Sequence, residues 1–210
     1  MSSATEENQA AVLTSLPDTL QRVLPRTIPG PVSPQNKGAL HWGWQGYLAY
    51  GCQCTVVVVE PKTVQCVQTL NGHTSHITKV VWRNTSHYHQ LSASYTLLLA
   101  SGDMTGQLRV WDVSTGHCSV LGAPQGNKHV ADLCWLTGAT EGREHLLLAL
   151  YPPHRLVLWD ARHQTRLWTK TYTHALSSLT LDPFNGSKMA FLCEGCVLFA
   201  DDLHPSRCPS

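Results

Sequence analysis

Leu108-Arg109-Val110-Trp111-Asp112 and Leu156-Val157-Leu158-Trp159-Asp160 are the two stretches that decide the fold. Each is a short apolar run that closes on Trp-Asp, and the two tryptophans stand 48 positions apart. A Gly-His pair, Gly72-His73, lies 39 positions before Asp112. A unit opened by Gly-His, closed by Trp-Asp and recurring at roughly 40–45 residues is the pattern of a four-stranded propeller blade.

The repeat extends outward from these runs. Val80-Val81-Trp82 and Leu133-Cys134-Trp135 occupy equivalent places, as do Leu97-Leu98-Leu99-Ala100 and Leu146-Leu147-Leu148-Ala149. Ala100 stands 11 positions before Trp111, and Ala149 stands 10 before Trp159. An ordinary β-sandwich would need all of these matches to arise by chance, whereas a repeat architecture produces them directly. The spacing predicts an all-β, WD40-type β-propeller of about three and a half blades, at 37–71, 72–122, 127–172 and 174–204, with a tail at 205–210. The last blade begins with strands near Ser177, Lys188 and Cys196 and stops at Asp201-Asp202. Propellers close with 4–8 blades, so this one is incomplete, and its open sheet edges invite self-association.

Residues 1–36 differ from the rest. Pro17, Pro25, Pro29, Pro31 and Pro34 interrupt any long helix, since each lacks an amide donor and restricts its predecessor. A capping box at Ser3 and Glu6 with Val12, Leu13 and Leu16 behind it predicts at most a short helix in a flexible lead.

The apolar fraction of 42 % suits a packed domain, and a formal net charge of +1 gives no general attraction to nucleic acid or anionic membrane. No apolar run approaches the roughly 18–20 residues that span a bilayer. The first residues carry Glu6 and Glu7 where a signal peptide would be basic. These features predict a cytoplasmic protein in which the eight cysteines are thiols.

Several constellations invite a chemical reading. In a WD40 blade a histidine, a strand Ser or Thr, a turn Asp and the strand Trp form a buried hydrogen-bond chain. His73, Ser101 and Trp111 fit those positions, while the turn position six before Trp111 holds Thr105, with Asp103 two residues early. The third blade has Pro153 at that place, so no equivalent chain is expected beside Trp159. Asp112 and Asp160 complete the structural positions. No Gly-x-Ser-x-Gly elbow accompanies these residues, and the reading is structural, with no catalytic residue and no enzyme. Cys193-Glu194-Gly195-Cys196, beside His41 or His204, has the form of half a zinc site, but Glu194-Gly195 also reads as a hairpin turn. Cys52 and Cys54 would share one face of an extended segment. No metal or cofactor is therefore expected. The tryptophans beside Arg83, Arg155 and Arg166 read as packing between blades, with no direct nucleic-acid binding. Partner contacts are expected in loops over the rigid sheets: Gly72–Ser75, Gln125–Lys128, Thr173–Ala175, and a long insertion, Asn84–Tyr95, containing His87, Tyr88 and His89. Arg109, pointing opposite to Leu108 and Val110, is either a blade residue or a further contact.

The stretch Asn36–Gly51, with Trp42-Gly43-Trp44-Gln45-Gly46 at its centre, resembles the opening of the WD repeat-containing protein eleven family. The resemblance continues through Val56–Val59, Leu99–Ser101, Val110–Val113, Leu147–Ala149, Pro152-Pro153 and Val157–Trp159, ending near Asp182-Pro183-Phe184 and Glu194-Gly195; it spans about residues 25–205. It implies part of the first of two propellers, in a non-enzymatic scaffold that helps capture endosome-derived vesicles at the trans-Golgi network. It also implies protein partners (tethering complex subunits and a homeodomain factor) and links to cilium formation, Hedgehog signalling and the nucleus. Residues 1–24 depart from the family opening, and the chain stops before a second propeller. The alternatives are a small zinc- or redox-responsive cysteine protein, or an inactive or regulatory fragment of the longer scaffold.

Overall fold

The computed structural model describes residues 30–84, 96–122, 128–136 and 143–209. Their short apolar runs form 15 strands in four antiparallel sheets, each a meander in chain order. The first sheet holds β1 (Leu40–Trp42), β2 (Leu48–Cys52), β3 (Thr55–Glu60) and β4 (Gln65–Asn71). The second holds β5 (Ile77–Trp82), β6 (Leu98–Asp103), β7 (Leu108–Asp112) and β8 (His117–Gly122). The third holds β9 (Asp132–Trp135), β10 (Leu146–Tyr151), β11 (Arg155–Asp160) and β12 (Thr165–Thr171). The fourth stops at three strands, β13 (Leu176–Leu181), β14 (Met189–Cys193) and β15 (Val197–Ala200). This is the expected all-β architecture, an incomplete WD40 propeller. Among the described residues no helix is long and apolar enough to cross a membrane.

Strand alternation assigns each sheet two apolar faces, one for each neighbouring blade. Ala49, Val56, Val58 and Leu70 of the first blade meet Ile77, Val80, Trp82, Leu99 and Trp111 of the second. Ala100, Leu108 and Val110 on the second blade's other face meet Leu133, Trp135, Leu147 and Val157 of the third. Leu148, Leu150, Leu156 and Leu158 then meet Leu179, Met189, Phe191 and Cys193 of the fourth. The inner strands β5, β9 and β13 are also clasped by polar groups. Asp132 Oδ1 pairs with Lys79 Nζ at 2.8 Å, and its Oδ2 accepts from Ser178 Oγ at 2.7 Å and the Leu179 amide at 3.0 Å. One carboxylate thereby ties three blades together.

Residues 33–36, counted with the lead on sequence grounds, are built into the first two blades. Ser33 caps a 3₁₀ turn at Pro34–Asn36, and the buried Asn36 side chain donates to the carbonyls of Gln53 at 3.0 Å and Ile77 at 2.7 Å. The Cys52-Gln53-Cys54 stretch is also not extended. Cys52 pairs with Thr55, and Gln53, at φ 52°, turns the chain between β2 and β3, so the two thiols do not share a strand face. No fourth strand follows β15 among the described residues, and the chain beyond it is held by other contacts. Leu203 is buried, its amide donates to the Ser187 carbonyl, and Trp168 Nε1 of β12 donates to the His204 carbonyl at 3.1 Å.

Candidate functional site

The turns between second and third strands and the links from one blade to the next gather at one end of the sheets. Among the described residues these include Gln53–Cys54, Asn71–His76, Met104–Gln107, Lys128–Val130, Pro152–His154, Thr173–Ala175 and Glu194–Cys196. Their anchoring is mutual. The Met104 amide donates to the His76 carbonyl, Val130 to Asp103, and Leu176 to Pro153, while His154 Nδ1 donates to the His174 carbonyl at 2.9 Å. This end carries His76, Lys128, His129, His154 and His174, with Asp103 buried and Glu194 exposed on the β14–β15 turn.

Beneath it runs a buried relay. Trp111 Nε1–H donates to Ser101 Oγ at 2.8 Å, the Ser101 hydroxyl donates to His73 Nε2 at 2.7 Å, and His73 Nδ1–H donates to Asp103 Oδ2 at 2.7 Å. The direction follows because the indole can only donate and the carboxylate can only accept. Asp103, and not Thr105, is therefore the turn acid. Thr105 is a donor to it: Asp103 Oδ1 accepts from the Thr105 amide at 2.9 Å, the Thr105 hydroxyl at 2.7 Å and the Gln107 amide at 3.0 Å. Asp103 takes the role from two residues before the counted position because β6 runs through Asp103 before a turn in which Gly106 takes φ +84°. Burial alone would push the Asp103 carboxyl up. The hydrogen bonds from His73, Thr105 and the Gln107 amide outweigh it and hold the carboxyl below the usual range.

The other anticipated residues fall around this relay. Arg109 lies within its blade, donating from Nε to Gln107 Oε1 at 3.0 Å and from Nη1 to Cys118 Sγ at 3.3 Å, with its guanidinium 5.9 Å from the Trp111 ring centroid. It also fixes the Gly-His signature. A Cβ on Gly72 would lie 2.8 Å from Arg109 Nη1 and 3.0 Å from Trp111 Cη2. Asp112 and Asp160 cap the turns that follow their strands: Asp112 Oδ1 accepts from the Ser114 amide, and Asp160 Oδ1 from Arg162 and His163. Trp159 has no relay. Ala149 stands where Ser101 does, so β10 offers no hydroxyl there, and the Tyr151 hydroxyl beside the Trp159 indole closes no ordinary hydrogen bond with it. His87, Tyr88, His89 and most of the 125–128 loop lie outside the described residues.

Cys193 and Cys196 flank the Glu194-Gly195 turn, the Cys193 amide donating to the Cys196 carbonyl at 2.9 Å, with one thiol buried and the other exposed. Among the described residues no group of three or more His, Cys, Asp or Glu side chains is placed to hold a metal ion. Trp82, Trp111, Trp135 and Trp159 are buried between blades, as packing residues should be. The Asp132 clasp escaped sequence reasoning because a lone acid at the head of an apolar strand gives no signal of its partners two blades apart.

The sequence profile of the WDR11 first β-propeller matches residues 30–203, nearly the whole described chain. The chain belongs to that family. It is 39 % identical over 198 residues to WD repeat-containing protein 11 of Mus musculus, covering 93 % of this chain and 16 % of the relative. A member of the WDR11 propeller family, the chain thus spans about a sixth of that relative's length. Two solved structures share the fold at low identity. The computationally designed Ika4 protein matches with a TM-score of 0.60 and 15 % identity, over 84 % of this chain and 98 % of that one. The designed Ika8 protein matches with a TM-score of 0.56 and 16 % identity, over 77 % of this chain and 44 % of that one.

Proposed function

We propose that the chain is a non-enzymatic scaffold that presents the loop end of its blades to protein partners, and that it serves the capture of endosome-derived vesicles at the trans-Golgi network. The observation that carries the scaffold reading is the His73–Ser101–Trp111–Asp103 relay. A Ser, a His and an Asp in hydrogen-bond contact would suit acyl transfer, yet the His73 and Asp103 side chains have no exposed surface and Ser101 is fully buried. The Ser101 oxygen already holds the Trp111 indole, so the set is committed to fixing loops and not to attacking a substrate. The trafficking role, its tethering-complex and homeodomain partners, and the links to cilia, Hedgehog signalling and the nucleus are part of this proposal, and the family resemblance is what supports them.

The test is to anchor the 210-residue chain to the outer mitochondrial membrane of cells and image endosome-derived cargo. Vesicles gathering at mitochondria support the reading. A chain that is folded and displayed there but recruits neither vesicles nor tethering subunits overturns the trafficking role.

A further inference from the structure

The third and fourth blades present the same four positions on the face turned toward a following blade. Leu148 pairs with Leu158 and Leu150 with Leu156, as Ala190 pairs with Phe199 and Leu192 with Val197. In the third blade all four side chains are fully buried beneath the fourth. In the fourth, Leu192, Val197 and Phe199 are 54 %, 52 % and 82 % exposed. An open cavity of about 550 Å³ lies on that face, lined in part by Thr180, Ala190 and Phe199. The fourth blade thus presents an apolar face with no neighbour against it among the described residues.

The leading face of the first blade differs. Its inner strand is open, with Leu40 and Trp42 exposed, but Leu48, Tyr50 and Val59 behind it are buried, and Cys52 Sγ donates to the Pro31 carbonyl at 3.2 Å. Each chain therefore has one sheet face bare across its middle and third strands. We propose that this face packs against the same face of a second copy, across a two-fold axis. Such a contact uses up the bare face on both chains and stops at a dimer, whereas head-to-tail stacking would need the first-blade face that is already covered. The rim is self-complementary in charge, because exposed Lys188 shares the cavity border with Asp182 and Asp201, and a two-fold lets each lysine meet the other copy's carboxylates. This dimer does not rest on the trafficking role.

Sedimentation velocity on the full chain in reductant, at micromolar concentration, tests it. The expected species has twice the mass of one chain. F199E and L192E should each weaken the dimer roughly tenfold or more, and W42E on the first blade should leave it intact. Both fourth-blade positions are more than half exposed, so far-UV circular dichroism should show the variants folded. A monomer across that range, an open-ended series of oligomers, or a dimer lost with W42E and kept in F199E overturns the proposal.

Discussion

Replacing Ser101 with alanine removes a single buried oxygen but strands two groups. Trp111 Nε1–H loses its acceptor and His73 Nε2 loses its donor, both in a site that water does not reach. An unsatisfied buried polar group costs about 1–3 kcal/mol, so the two together give about 2–6 kcal/mol. For a domain of this size that corresponds to a fall in melting temperature of roughly 5–20 °C. Thermal unfolding followed by far-UV circular dichroism reads it, with Ser114→Ala as the control. The Ser114 side chain is exposed, and that change should stay within about 0.5 kcal/mol. The mechanism predicts more than a loss. On a Trp111→Phe background the indole donor is already gone, so the cost of Ser101→Ala should shrink by about 1–3 kcal/mol. If Ser101→Ala behaves like Ser114→Ala, or costs the same on both backgrounds, the relay contributes nothing as a relay.

Three further outcomes follow from the same geometry. The Asp103 carboxyl is held below its usual range in the folded chain, so its stabilisation is fully present above the unfolded value near ~3.9 and is lost as pH falls through the folded one; Asp103→Asn should flatten that acid limb in denaturant titrations. Gly72→Ala should cost about 1–3 kcal/mol in denaturant unfolding, because Arg109 can swing away from the new methyl but the buried Trp111 ring cannot. Trp82→Ala should cost about 3–5 kcal/mol, while Trp42→Ala, at the matching position of the first blade, should cost a fraction of that, since the two rings are 2 % and 62 % exposed.

That last pair shows where sequence reading succeeds and where it stops. Strands were legible because apolar runs recur at a blade's length and alternate within each run. The run Leu108–Asp112 is a strand from end to end, and Leu156–Asp160 fills all but the first residue of another. Alternation says which side chains share a face, but not whether anything lies against it. Trp42 and Trp82, or Leu192 and Leu150, look alike in the chain and differ in whether a described blade lies against them. Turn geometry was the other blind spot. Asp103 lies outside a fixed count of six residues back from Trp111, because the turn through Gly106 places it eight back, and an extended reading of Cys52 and Cys54 fails where left-handed Gln53 turns the chain.

An open arc of blades can still fold, because in a repeat protein stability is close to a sum over neighbouring interfaces. That sum is uneven here. The third blade is covered on both faces, and Leu147, Leu148, Leu150, Leu156 and Leu158 are all fully buried. The fourth blade is covered on one face, lacks its outer strand, and is held to the third by the shared leucine face, the Asp132 clasp and the Trp168–His204 bond. Local opening follows the number of buried contacts that must be broken. Amides of β14 and β15 should therefore exchange with deuterium well before those of β10 and β11 when the chain is monomeric. Dimerisation through Leu192, Val197 and Phe199 would add the missing interface to the fourth blade alone, so its exchange should slow with rising protein concentration while that of β2 and β3 stays constant. Exchange in β14 and β15 that matches β10 at every concentration would mean that the terminal blade draws its stability from something other than its neighbour, and that the sum over interfaces is the wrong account of this fold.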